Sequence, residues 1–269
     1  VGGAAYRGGL KYAQEREQFG KPISRVAAVA EMLSNMKAKL QGVRALLYET
    51  TRFVEVYKQY GHISHERSLE AEERQEMKFY NRLADGFTPL VKLFSSEYAN
   101  QMAYDAIQIH GGTGFMKDFN VERFYRDARI TNIYEGTTQL QVVAAIGGVI
   151  QRDNDVRIKE LAELNFEGKL ARLRDRLMEL HARQLEAVRF VSEKKDQAYH
   201  DLMARSLVEM ETYVFVGLLL LRDALKCEER AAIAERWVLD AVPEFEKRFM
   251  RVTSGDVTLI DNNRDIIDY

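Results

Sequence analysis

Glu135 stands between the aromatic Tyr134 and the run Gly136-Thr137-Thr138, just ahead of the apolar stretch 142–150. A carboxylate so placed lies at the mouth of a helix, within reach of free backbone N–H groups, and can act as a proton acceptor. Upstream, Gln108, Gly111 and Gly112 fall in QIHGGTG, a glycine loop whose backbone can approach a phosphate or ribose with no Cβ in the way. Earlier still, EREQFG carries Arg16, whose planar fork can grip a pyrophosphate through two hydrogen bonds, and Phe19, which can pack on an apolar edge. Each also has a plainer reading. Glu135 could be a solvated first-turn carboxylate, Thr137 a helix cap, the Gly pair a helix C-cap and Arg16 an exposed i,i+4 ion-pair partner.

The three segments together decide between these readings. QIHGGTG, then IYEGTTQLQ (Ile133 to Gln141), preceded by YAQEREQFGKPI (Tyr12 to Ile23), resemble the C-terminal helical domain of flavin-dependent acyl-CoA dehydrogenases. Members of that family carry QxxGGxG, IYEGTxxxQ and ERxxFGxxI segments in this order. One such motif arises by chance in many chains; three in the right order and spacing do not. The resemblance covers residues 1–150 and implies an all-α, up-down helical bundle.

The resemblance also implies chemistry. Taking hydrogens from Cα and Cβ of an acyl-CoA thioester needs a base for the α-proton and an acceptor for the β-hydride. No side chain accepts hydride, so a cofactor must. The implied cofactor is FAD and the implied base is Glu135, whose backbone N–H would help hold the thioester carbonyl. Tyr134 and Gly136 would then lie beside the substrate, and Thr137 and Gln139 would touch the subunit's own FAD. Arg16, Phe19, Gln108, Gly111 and Gly112 would reach the FAD of the neighbouring subunit, so a homodimer or homotetramer is expected. Gln18 replaces a small hydroxyl residue found in some members, which leaves its own contact with FAD open. An electron-transfer flavoprotein is the implied electron acceptor. Same-fold alternatives are an acyl-CoA oxidase, which passes electrons to O₂, and a non-catalytic helical assembly module; some branches of the family draw their base from a helix that would lie upstream of Val1.

The elements that must position these residues are helical. Only three prolines occur, and apolar residues recur at spacings of three and four over long stretches. Val26, Val29, Leu33, Met36, Leu40, Val43 and Leu47 mark one face of a long helix with Ser24 as its N-cap. The polar segment 59–68 is expected to end that helix, and a second from about Leu69 to Ile107 is expected to kink or divide at Pro89. Residues 151–155 mark a boundary, which places one helical unit at 1–150 and a helical extension at 151–269. In the extension Leu170, Leu173, Leu177, Leu180, Ala187 and Val191 keep heptad-like spacing, helices follow over 202–225 and 231–252, and the tail from Thr253 to Tyr269 is read as irregular. By length and position the extension is similar to that of longer family members such as the 3-methylmercaptopropionyl-CoA dehydrogenases. Arg126 and Asp127 are read as a structural ion pair, and His110 as a packing residue.

Composition narrows the remaining classes. A net charge of −2 gives no reason to expect nucleic acid. A single cysteine, Cys227, rules out an intrachain disulfide and fits a cytoplasmic setting. His62, His65, His181 and His200 show no metal-ligand spacing, so no metal is assigned. The longest apolar run, 214–221, is too short to span a bilayer. The opening VGGAAYRGGLKYA reads as the middle of a helix, so the chain is expected to be a fragment, inactive alone, lacking the N-terminal and middle domains of the family.

Overall fold

The computed structural model describes residues 1–268; Tyr269, the last residue of the tail read as irregular, lies outside the described residues. Among the described residues the only strands are two of two residues each. Helix α1 (Gly2–Glu15) leads into a hairpin of β1 (Glu17–Gln18) and β2 (Lys21–Pro22), then a 3₁₀ turn at Ile23–Arg25. Two 40-residue helices follow, α2 (Ala27–Glu66) and α3 (Ala71–His110). After them come α4 (Gly112–Phe115), α5 (Val121–Ile130), α6 (Thr138–Gln151) and α7 (Asp155–Ala162). The extension adds α8 (Gly168–Lys194), α9 (Gln197–Lys226), α10 (Ala231–Thr253) and α11 (Thr258–Ile267), with a 3₁₀ turn before α10.

Pairings between helices fix their directions. Phe53 packs on Phe87 and Tyr60 bonds to Glu76, so α2 and α3 run antiparallel. Gly2 faces Met102 and Gly9 faces Ile109, so α1 runs parallel to α3 and the two end side by side. Helix α9 is the axis of the molecule. From Ser206 through Leu221 every residue is buried, so this stretch is packed on all sides, with Glu209, Glu211 and Thr212 enclosed among its apolar residues. Phe215 of α9 packs on Phe87 of α3, with ring centroids 4.1 Å apart, and a single apolar cluster runs from Ala45 and Leu90 through Ile146 to Leu218 and Phe245. The helices after residue 150 therefore share a core with α2, α3 and α6. The apolar run 214–221 lies inside that core, and among the described residues no helix is long and apolar enough to cross a membrane.

Four local expectations need correction. Ser24 does not cap α2: the buried Ile23 pins a 3₁₀ turn there, and Val26 holds the N-cap position. Helix α2 continues through the polar segment to Glu66, because those residues project beyond the core and need no apolar face. Helix α3 is not divided at Pro89; an interior proline costs about 3 kcal/mol, which the burial of Phe87, Leu90, Leu93 and Phe94 offsets. Residues 258–267 of the tail are helical, with the Asp256 carboxylate accepting from the Thr258 N–H at 2.9 Å.

Two buried carboxylates tie the extension down. Glu49 on α2 is 3% exposed and meets Arg52, Arg157 of α7 and Arg222 of α9 at 3.0, 2.7 and 2.6 Å. Burial raises its pKa, but the three guanidinium groups outweigh that and hold it below the ordinary carboxylate range. Glu211 on α9 has no such partner. It accepts from Asn154 Nδ2 at 2.6 Å, and burial, helped by the charges of Asp155 and Asp153, pushes its pKa up to about 7.

Glu211→Gln keeps the shape and the acceptor for Asn154 while removing the buried charge. A carboxyl whose folded-state pKa is raised loses stability as pH climbs from its unfolded value near 4.5 towards about 7, here by roughly 3 kcal/mol. The variant is therefore expected to be more stable than the parent at about pH 8 and to converge with it near pH 5. Urea midpoints at the two pH values check this, and an equal offset at both would contradict it.

Candidate functional site

Glu135 lies in the turn between α5 and α6, two residues before the N-cap, Thr137. Both Glu135 (φ 51°) and Gly136 (φ 92°) are left-handed, a rare conformation for glutamate. Gln141, one turn into α6, donates from Nε2 to the carbonyls of both residues at 3.3 Å. A Cβ on Gly136 would come within 2.7 Å of that nitrogen. Gly136→Ala is therefore expected to strain the turn by about 1–3 kcal/mol, seen as a lower thermal midpoint, whereas an unchanged midpoint would mean the turn is not tightly held.

Helix α3 holds the rest of the loop. Thr138 Oγ1 donates to Glu97 Oε1 at 2.7 Å, and Asn132 Nδ2 approaches the same oxygen at 3.5 Å. Asn100 Nδ2 donates to the carbonyl of Ala128 at 2.9 Å, closing the end of α5. Lys92 Nζ donates to the Thr131 carbonyl and sits 4.6 Å from the centre of the Tyr134 ring. Glu135 and Tyr134 point outward, while Gly136 is half-buried. The Thr137 side chain makes no capping hydrogen bond, so its hydroxyl is not used by the helix that it begins. Gln139 is exposed on the first turn of α6, where Leu140 and Val143 add an apolar surface.

The other candidate residues gather at the far end of α3. Gly111 (φ 63°) caps that helix, as the plain reading of the glycine pair requires. Gly112 has no such duty. Its φ is ordinary and a Cβ placed on it would meet nothing within 4 Å. Gln108 is exposed one turn earlier. His110 beneath them is buried, stacked on Tyr12 at 4.2 Å, and bonded through Nδ1 to the Ala106 carbonyl. Tyr12 also reaches Thr113 at 3.2 Å, which ties the end of α1 to the glycine loop. The hairpin that carries Arg16 and Phe19 starts immediately after α1, the helix whose end Tyr12 ties to the glycine loop.

Phe19 and Gly20 form the two-residue hairpin turn, both with positive φ. Phe19 is 81% exposed, an unusual cost for a large apolar ring in a strained backbone position. Among the described residues Arg16 pairs with no carboxylate. The Glu135 loop is anchored at Glu97 and the glycine loop begins at His110, so the two clusters lie roughly 20 Å apart along α3. Arg126 pairs with Glu122 at 3.1 Å, not with Asp127, because i,i+4 residues share a helix face and adjacent ones do not. Lys92, Glu97, Asn100 and Asn132 were not singled out from sequence; only their spacing along one face of α3 could have pointed to the first three.

Comparison with known proteins settles the family. Residues 2–146 match the model described as acyl-CoA dehydrogenase, C-terminal domain, and residues 155–254 match a second one, acyl-CoA dehydrogenase C terminal. The chain belongs to the acyl-CoA dehydrogenase family. It is 34% identical over 143 residues to the caffeyl-CoA reductase-Etf complex subunit CarC of Acetobacterium woodii, covering 53% of this chain and 31% of that protein. It is 35% identical over 179 residues to 3-methylmercaptopropionyl-CoA dehydrogenase of Ruegeria pomeroyi, covering 62% and 28%. The chain thus spans about a third or less of the length of these curated relatives. Among solved structures it resembles an acyl-CoA dehydrogenase from Bacillus anthracis complexed with FAD, with a TM-score of 0.72 and 22% identity over 93% of this chain and 46% of that one. It also resembles ACDH-11 of Caenorhabditis elegans in complex with C11-CoA, with a TM-score of 0.76 and 18% identity over 98% and 44%. At these identities the two structures establish the fold, including that of the extension.

Proposed function

We propose that this chain is the helical C-terminal part of an FAD-dependent acyl-CoA dehydrogenase in which Glu135 is the base that removes the α-proton of the acyl thioester. The observation that carries this reading is the loop itself. An exposed carboxylate in a left-handed turn, clamped by Gln141 within the loop and by Glu97 from α3, opens onto the N-terminus of α6. Such strain persists only where surrounding structure holds it.

The residues present also fit a flavin. Gly112 leaves open the space that a Cβ would take, the Thr137 hydroxyl is unspent on capping, Phe19 is exposed on the hairpin turn and, among the described residues, Arg16 pairs with no carboxylate. Arg16, Phe19, Gln108, Gly111 and Gly112 would hold a neighbouring subunit's FAD, and Thr137 and Gln139 the subunit's own; when bound, the flavin supplies the hydride acceptor that no side chain can provide. With the two clusters on the FAD molecules of different subunits, the working enzyme is at least a homodimer.

Glu135 takes the α-proton on its carboxylate, and its N–H, with Tyr134 and Gly136 beside it, faces the thioester. By microscopic reversibility the same carboxyl returns the proton when the reaction runs as a reduction, the direction for which the Acetobacterium caffeyl-CoA reductase subunit is named. Electrons leave to an electron-transfer flavoprotein. The shared site is tested by Arg16→Ala in the full-length protein, which is expected to lose FAD and activity together; full FAD retention would remove Arg16 from the site.

A further inference from the structure

Glu97, the residue of α3 that holds the Glu135 loop, is also reached from the extension. Arg205 of α9 brings Nη2 to 4.0 Å from Glu97 Oε2, while its Nε donates to Glu209 Oε1 at 2.8 Å. Glu209, 8% exposed, accepts in turn from Arg248 of α10, and Arg248 pairs with Glu244. Charges therefore alternate from α10 to α3 through Glu244, Arg248, Glu209, Arg205 and Glu97. The line ends on Thr138, which opens α6 three residues after Glu135. Arg205 and Gln139 also line one cleft of about 510 Å³, so the extension borders the first turn of α6 directly.

We propose that Glu97 positions the Glu135 loop and that Arg205 holds Glu97 for that task, which makes the helices after residue 150 part of the support of the base. The proposal rests on reading Glu135 as that base. The pair between Arg205 and Glu97 is half-exposed and contributes little stability by itself. Its consequence is geometric. A lone glutamate on a helix surface samples several rotamers, whereas a guanidinium fixed from behind by Glu209 attracts one Glu97 oxygen across 4.0 Å and leaves the other for Thr138. Misplacing a catalytic group by about 1 Å can cost about a hundredfold in rate.

The test uses the full-length flavoenzyme, reduced anaerobically by whichever saturated acyl-CoA, from butyryl to palmitoyl, the wild type oxidises fastest. Glu97→Ala is expected to slow flavin bleaching about ten- to a hundredfold with little change in the apparent dissociation constant for the acyl-CoA. Glu97→Gln restores most of the rate, because its amide oxygen still accepts from Thr138. Arg205→Met slows bleaching about threefold or more in the wild-type background and has no effect in the Glu97→Gln background. Should Glu97→Ala fail to retain flavin, Thr138→Val breaks the same link from the other side and must show the same rate loss. Wild-type bleaching in Glu97→Ala or Thr138→Val, or an equal Arg205→Met effect in both backgrounds, overturns the proposal. Glu135→Gln run in parallel separates the two ideas: an active Glu135→Gln enzyme removes the base itself, while an inactive one beside an undisturbed Glu97→Ala enzyme removes only the positioning role.

Discussion

Glu135→Gln in the full-length flavoenzyme is expected to slow bleaching of the flavin by a saturated acyl-CoA about 10²–10⁴-fold, the range for losing a positioned general base. Flavin content and acyl-CoA binding should stay close to wild type. The substitution is nearly isosteric, Glu135 is exposed in this chain, and the left-handed turn is held by backbone contacts from Gln141 rather than by the carboxylate. The change therefore removes a proton acceptor and little else. Aspartate at 135 withdraws the carboxylate by one methylene and should fall between glutamate and glutamine.

Trp237→Ala should be the most damaging substitution to the fold, costing about 3–5 kcal/mol. The indole is 4% exposed and donates from Nε1 to the Tyr213 carbonyl at 3.1 Å. Its ring fills a notch over Gly42 of α2, where an added Cβ would come within 2.7 Å of the indole and 2.9 Å of Val216. The notch is where α2, α9 and α10 meet, so the indole joins the two halves of the chain. Gly42→Val overpacks the same place and should cost about 1–3 kcal/mol. Because the cavity left by Trp237→Ala can accept the new side chain, the double variant should be more stable than the sum of the single losses predicts. Urea unfolding followed by far-ultraviolet circular dichroism measures all three; strict additivity would show that the two sites do not share the notch.

The helices were legible in the sequence wherever one face is buried. Val29 to Val43 in α2 and Leu170 to Val191 in α8 carry the three–four spacing that burial imposes, whereas Leu47, expected on the same face, is exposed and Leu46 is buried in its place. What sequence did not carry lies where packing gives no period. The end of α2 past Gln59 carries no fully buried residue, and Pro89 is tolerated because its neighbours Phe87 and Leu90 are packed between α2 and α9. The candidate loops were legible because QIHGGTG and IYEGTTQLQ state their own local conformation: glycines sit at positive φ at 111 and 136, and a helix begins at Thr138. Their supports were not. Glu97 and Asn100 read as ordinary polar residues of a long helix, and only the folded chain brings them under Thr138 and Ala128. Arg205, far along the chain, gave no sequence signal at all.

The central claim is that Glu135 removes the α-proton, and deuterium exchange reads that step without the hydride transfer. The full-length enzyme is incubated anaerobically in D₂O with a saturated acyl-CoA, and the recovered thioester is weighed by mass spectrometry. The account predicts deuterium at the α-carbon with wild type and none above background with Glu135→Gln at equal flavin content; equal incorporation by both would place the base elsewhere and contradict it.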